Sequence, residues 1–341
     1  VSAVRLTSFS HGAGCACKLG PRDLTRVLDL VGPIAKPEDV LVSEETGDDA
    51  AVYRLPDGGG LVFTLDFFTP LVDDAADWGR IAAANALSDV YAMGGTPRLA
   101  LNIVGWPVDE LPLELLAEVL SGAREIASRA DVAVVGGHTI TTEREPLFGM
   151  AAIGFVDAAA IVRNSTARPG MQLSLSKPIG TGLVATAIKR DAADEEQARL
   201  AVDTMTALNA EASAAMVRDG AGAATDVTGF GLLGHLRRML EASGCGAVVH
   251  ADDVPLLPGV LSLAHRDIVA GGTKRNHAWL QEVVDWGDLT APEQVVLADA
   301  QTSGGLLVAS ADAMDQGLFT PIGEVVTGDP GSITVTGRIR E

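Results

Sequence analysis

Short apolar runs with strand character alternate with longer runs of helical spacing, and this happens once in each half of the chain. In the first half, Leu61–Asp66 reads as a strand ending on a carboxylate, and Trp78–Met93 as an alanine-rich helix stopped by Gly94, Gly95 and Pro97. Leu99–Val104, Val132–Val135 and Phe148–Val156 read as further strands, with an amphipathic helix over Leu111–Ala130 between the first two. Ahead of them, Pro21–Val31 reads as a proline-opened helix, followed by the apolar run Val40–Val42. The second half begins with the alternating strand Gln172–Leu175 and the loop Lys177–Gly182, which opens a helix. It continues with one long helix over Glu195–Val217, the loop Thr225–Gly231 leading into a helix to Leu240, and the turn Gln301–Gly305 before a strand ending at Val308. Ser332–Thr336 is a late strand. Mixed strands and helices in both halves specify an α+β (α/β mixed) fold in two domains, with the boundary near 157–169.

The 341 residues, 47% of them hydrophobic, suffice for about two cores. A formal charge of −20 argues against an electrostatic nucleic-acid binder and suits a small substrate that arrives with its own divalent cations. No run of about 18 apolar residues predicts a membrane span, and Val1–Leu6 lacks the apolar core of a secretion signal. The cysteines are Cys15, Cys17 and Cys245, an odd number that points to a reducing, cytoplasmic setting.

Cys15 and Cys17 stand in His11-Gly12-Ala13-Gly14-Cys15-Ala16-Cys17-Lys18. A cation beside a thiol favours the thiolate, so the segment reads as a reactive, mobile thiol loop. A structural zinc site needs four ligands, and only Cys245 remains to add. Asp49, Asp66, Asp89 and Asp226 each occupy a loop or an element end; singly they read as caps and turn residues. Together they suit hard cations, since magnesium takes oxygen ligands and bridges carboxylates to phosphates. Asp48 reads equally as a ligand, a neighbour of one or a solvated turn residue. Asn85 and Asp89, four apart on one helix, share a face. The glycine turn Gly136-Gly137-His138-Thr139 places backbone N–H groups where a phosphate could sit, and Lys177–Gly182 does not match a P-loop. His11 and His138 suit an ordinary polar role as well as a catalytic one, and Lys274-Arg275 reads as a surface pair that could meet phosphate.

On these motifs, joined by Asp48-Asp49-Ala50-Ala51-Val52, Asn164-Ser165-Thr166-Ala167, Thr225–His235 and Gln301–Gly305, the chain resembles the selenophosphate synthetases (selenide, water dikinases) of the aminoimidazole ribonucleotide synthase-like superfamily. The cysteine segment discriminates, because superfamily relatives share the aspartates without it. The resemblance implies synthesis of selenophosphate from ATP, selenide and water, with AMP and orthophosphate released. It implies a mobile segment 1–48, an ATP-binding and dimerisation domain 49–157 and a C-terminal domain 158–341, the N-terminal sheets of a homodimer pairing into a barrel-like core. Cys15 and Lys18 align with the catalytic cysteine and lysine. Asp49, Asp89 and Asp226 align with magnesium ligands. Lys18, Thr46, Gly47, Asp48, Asp66, Asp89, Gly137, His138 and Thr139 align with nucleotide or phosphate contacts. A monovalent cation such as K+, a selenium-delivery enzyme and downstream users of selenophosphate complete the implied partners; nucleic acid and membrane do not figure among them. Ala16 and Gly47 depart from the expected pattern, Gly47 standing where a relative carries a larger basic residue. Another ATP-dependent superfamily member with a different acceptor, a non-catalytic nucleotide-binding regulator, and a thiol redox or metal-delivery protein built on the Cys15/Cys17 pair are the competing readings.

Overall fold

The computed structural model describes residues 4–12, 14–18, 20–32, 36–43 and 47–340. The first layered unit is a six-stranded sheet built from β1 (Val40–Val42), β2 (Ala51–Arg54), β3 (Gly59–Phe68), β4 (Thr96–Trp106), β5 (Ala133–Thr141) and β6 (Leu147–Asp157), in the order β1-β2-β3-β6-β4-β5. Only β4 and β5 run parallel. Helix α1 (Pro21–Val31) precedes the sheet, while α2 (Ala75–Ala92) and α3 (Leu113–Arg129) cover one of its faces.

Alternation along β3 explains which face is covered. Val62, Thr64 and Phe68 point inward and are buried, whereas Phe63, Leu65 and Phe67 are about half exposed on the other side. Under the helices, Trp78 stacks on Trp106 at 6.4 Å and meets Phe148 edge-on at 6.1 Å. Helices α2 and α3 cross closely because a Cβ on Gly79 would lie 1.9 Å from the Val119 carbonyl oxygen, and one on Gly122 2.0 Å from that of Ala76. Asp74 caps α2 by accepting the Asp77 N–H, so the helix starts three residues before Trp78.

The second sheet contains β7 (Gln172–Leu175), β8 (Ala223–Asp226), β9 (Gly246–His250), β10 (Val284–Asp285), β11 (Leu306–Ser310), β12 (Thr320–Val326) and β13 (Ile333–Thr336), ordered β10-β13-β9-β12-β7-β11-β8. Its helices are α4 (Thr181–Lys189), α5 (Glu195–Thr206), α6 (Ala210–Arg218), α7 (Gly231–Ser243), α8 (Val260–His265), α9 (Gly271–Leu280) and α10 (Ala291–Leu297). The single helix expected over Glu195–Val217 is two. The chain is extended at Ala207, whose carbonyl accepts Lys177 Nζ at 2.7 Å, and Asn209 turns its amide to Ser88 Oγ and the Gly304 carbonyl, both at 2.9 Å. The Gly136–Thr139 turn is also corrected: these residues lie inside β5, where the register with β4 shifts between Ala100 and Asn102.

Helix α2 is buried along most of its length because the second unit packs against its far side, through α5, α6 and β8. Among the described residues, no helix is long and apolar enough to cross a membrane.

Candidate active site

Strand ends and loops from both units surround a cavity of about 330 Å³. Asp48 and Asp49 enter from the loop before β2, Asp66 from the end of β3, Asp89 from α2 and Asp226 from the end of β8; Lys18 and Arg238 add positive charge. Thr64 Oγ1 donates to Asp89 at 2.5 Å, Thr225 Oγ1 to Asp49 at 2.7 Å, and the Asn164 N–H to Asp48 at 2.7 Å. Among the described residues, buried Asp49 Oδ2 and Asp226 Oδ2 have no hydrogen-bond partner. Burial first, then the Asp226 charge, holds Asp49 and Asp89 well above the usual carboxylate range. Burial and the Asp66 charge push Asp226 up to about 6 against the pull of a Ser88 hydrogen bond, Lys18 and Lys177.

Such crowding of buried carboxylates, with two oxygens left unpartnered, suits divalent cations, whose charge would relieve the repulsion. Asp49, Asp89 and Asp226 face one cavity, although no three His, Cys, Asp or Glu side chains among the described residues converge into a ready-made metal group.

Beside the cavity, the cysteine segment is drawn inward. Cys15 is 1% exposed; its N–H donates to Thr302 Oγ1 at 3.0 Å and its thiol to Asn85 Oδ1 at 3.6 Å. The same Asn85 oxygen accepts the Ser303 N–H at 2.8 Å, and Asn85 Nδ2 donates to Asp66 at 2.7 Å. Lys18 Nζ pairs with Asp66 Oδ1 at 3.0 Å. The expected cation-favoured thiolate is therefore corrected for this conformation: burial pushes the Cys15 thiol up to about 12, outweighing Lys18, while Asp66 adds to the rise. Burial works to lower Lys18, but Asp66, Cys15 and Asp89 together hold it above the usual lysine range.

His235, buried under the cavity, is pulled down to about 3 by burial and is neutral. Its Nε2 accepts the Thr228 N–H at 3.2 Å, which assigns the proton to Nδ1, 3.4 Å from Thr225 Oγ1. Thr225 then passes its own hydroxyl proton to Asp49 as a hydrogen bond, so His235 sets the direction of an Asp49 contact.

Other candidates fall elsewhere. Gly137, His138 and Thr139 are exposed on edge strand β5, outside the cavity lining, and a single chain does not bring them to the aspartates. Gly47 lines the cavity, and Thr46 lies outside the described residues. The amides of Gly180–Leu183, at the end of the Lys177–Gly182 loop, are filled by Gln301 Oε1 and Asp299 Oδ2 and offer no phosphate cradle. His11 Nδ1 meets Glu145 at 2.6 Å, Lys274 pairs with Asp267, and Arg275 donates to the Ala16 and Lys18 carbonyls.

Sequence reasoning missed Arg238. Its guanidinium stacks 4.8 Å over Phe230, and its Nη1 lies 3.6 Å from where a Gly47 side chain would begin. Among the described residues, its buried Nε has no hydrogen-bond partner. Arg238 thus supplies positive charge where Gly47 lacks a basic side chain; nothing in its own helical neighbourhood signals this.

The comparisons agree with this architecture. Residues 47–156 match the AIR synthase related protein N-terminal domain, and residues 168–335 the corresponding C-terminal domain. Thiamine monophosphate kinase from Aquifex aeolicus shares the fold, with a TM-score of 0.67 at 17% identity over 95% of this chain and 100% of that one. The fold and its carboxylate-lined cavity thus define an AIR synthase-like protein. A selenide, water dikinase of Burkholderia pseudomallei is 46% identical, and one of Yersinia pseudotuberculosis 42% identical, each over 96% of both chains. The chain belongs to the selenide, water dikinase family.

Proposed function

We propose that this enzyme makes selenophosphate from ATP, selenide and water, with AMP and orthophosphate as the other products. The single observation that carries the reading is the junction of Cys15, Asn85, Asp66 and Lys18 at the wall of the carboxylate cavity. A soft chalcogen acceptor and a hard-cation phosphate site are thereby adjacent.

In this reading Asp49, Asp89 and Asp226 hold magnesium ions, which neutralise phosphate charge when bound. Gly47, Asp48, Asp66 and Thr46 contact the nucleotide, Arg238 meets a phosphate, and Lys18 exchanges Asp66 for the transferring phosphoryl group. Cys15 handles selenium once the segment opens, and closure of the N-terminal segment over the nucleotide limits attack by water. Residues 49–157 and 158–341 form the ATP-binding and C-terminal domains. We also assign a homodimer. The uncovered sheet face carries Tyr53, Phe63, Leu65, Phe67, Leu101 and Phe155, an apolar patch of the kind that pairs with a second copy. Leu65 also lines the cavity, so a partner on that face reaches its rim and contributes Gly137, His138 and Thr139. A cytoplasmic location, a selenium-delivery enzyme, selenophosphate users and a K+ requirement belong to the same proposal.

Phosphorus NMR of the protein with magnesium-ATP, run anaerobically with and without selenide, tests the assignment. Selenophosphate, AMP and orthophosphate formed only with selenide, and lost in Cys15→Ala, are the expected result. ADP as the final product regardless of selenide would assign a different acceptor.

A further inference from the structure

Residues 14–18 stand between two concavities. Lys18 lines the carboxylate cavity, and Ala16 and Cys17 line a second pocket of about 360 Å³, together with His11, Lys189, Arg190, Arg275 and main chain at the start of α9. Among the described residues, no carboxylate lines it, although the chain carries a net charge of −20. Lys189 Nζ donates to the Ser10 and Gly12 carbonyls, Arg275 to those of Ala16 and Lys18, and Arg190 to those of Asp267 and Val269. Among the described residues none of these three cations forms an ion pair; Glu145 and Asp267 stand near Lys189 and Arg190, outside the lining. Three cations are thus gathered around one concavity, hydrogen-bonded to main-chain carbonyls, with Glu145 and Asp267 the carboxylates that act on them from outside the lining.

Resting on the selenide-dependent activity proposed above, we infer that this second pocket is the entry port for the anionic chalcogenide. Hydrogenselenide is an anion at neutral pH. Approaching through the first cavity, it would meet Asp48, Asp49, Asp66, Asp89 and Asp226, and then the phosphates of bound nucleotide. Approaching from behind, it meets three positive side chains and the Cys17 thiol, with Ala16 alone between Cys17 and Cys15. An anion is also a stronger acceptor than a main-chain carbonyl. It competes for the Lys189 and Arg275 donors that hold the segment down, and this competition frees the buried Cys15. Nucleotide and chalcogenide therefore reach the junction from opposite sides.

The test has a readout independent of turnover. Cys17 of the full chain is alkylated with anionic iodoacetate or neutral iodoacetamide, and the two rates are compared by mass spectrometry with those of free cysteine. The iodoacetate-to-iodoacetamide ratio is expected to exceed that of free cysteine about tenfold, as for a ligand focused by a cationic cleft. Arg190→Glu should abolish most of that excess and raise KM for selenide about tenfold, while KM for ATP stays unchanged. Arg190→Gln, which spares the fold any reversed charge, should move both quantities the same way by less. A wild-type ratio equal to that of free cysteine, or a KM for selenide unmoved in either variant, overturns the port. A wild type that makes no selenophosphate overturns the proposed activity instead; the alkylation ratio then still decides whether the pocket selects anions.

Discussion

The thiol of Cys15 lies 3.6 Å from the carboxamide oxygen of Asn85, a residue 70 positions further along the chain. That oxygen also accepts the Ser303 N–H, and the amide nitrogen of Asn85 holds Asp66, the partner of Lys18. One side chain thus joins the cysteine segment, the first sheet and the Gln301–Gly305 turn.

Replacing Asn85 by Ala strands the buried Ser303 N–H and removes a donor from Asp66. Asn85→Ala is expected to lower stability by about 1–3 kcal/mol in denaturant unfolding. Cys15 should become faster to alkylate in the variant. An unchanged midpoint together with an unchanged Cys15 rate would show that the carboxamide does not hold the segment.

Asp226 is kept at a cost, because its charge is buried among others. Asp226→Asn should raise the melting temperature of the ligand-free protein at neutral pH, consistent with roughly 1–3 kcal/mol of relieved repulsion. The same change should remove the stabilisation conferred by magnesium-ATP. A calorimetric scan with and without the ligand measures both; a less stable ligand-free variant would contradict the electrostatic account.

Leu101 lies on the uncovered sheet face, in register with Ala151, which is in turn in register with Leu65. A charge there should split a homodimer without disturbing the inner face. Sedimentation equilibrium should find a dimer for the wild type and a monomer for Leu101→Glu. A dimer in both would move the subunit contact elsewhere.

Glu293 gives the clearest pH signature. Burial alone would raise it, but Arg338 and Thr290 hold it down to about 2. Because its folded value lies below the unfolded one of about 4.3, its stabilisation is complete above that value. As pH falls from there towards about 2, the folded state loses this contribution. The stability gap between wild type and Glu293→Gln should be of order 2–3 kcal/mol at neutral pH and should narrow below about pH 4.3. Urea titrations at several pH values test this, and a gap independent of pH would exclude the ion pair as its source.

Elements with strong local patterning were legible in the sequence. Pro21–Val31 and Gln172–Leu175 have the same limits in the structure, and Leu61–Asp66 only lengthens at both ends. The aspartates of the cavity were also readable as a group, since each stands in a loop, near the end of a strand or, for Asp89, in the last turn of a helix. What sequence spacing could not supply is tertiary. The break before Asn209 depends on Ser88 and Gly304, far away in the chain. The state of the Cys15 thiol depends on burial against Asn85 and Thr302, which local charge beside Lys18 does not reveal. Gly137–Thr139 carry a turn-like composition, yet pairing with β4 keeps them extended.

Helix α2 has a consequence for how such a chain can be divided. Its Asn85, Ser88 and Tyr91 bond to Ser303, Asn209 and Ser213, while its other side closes the first sheet. Cutting between the two sheets would leave these buried polar groups facing water on a surface shaped for something else. The halves match separate family domains but are not interchangeable cassettes. A recombinant joining the front of one homologue to the back of another inherits a compatible seam only if both parents agree along this one helix.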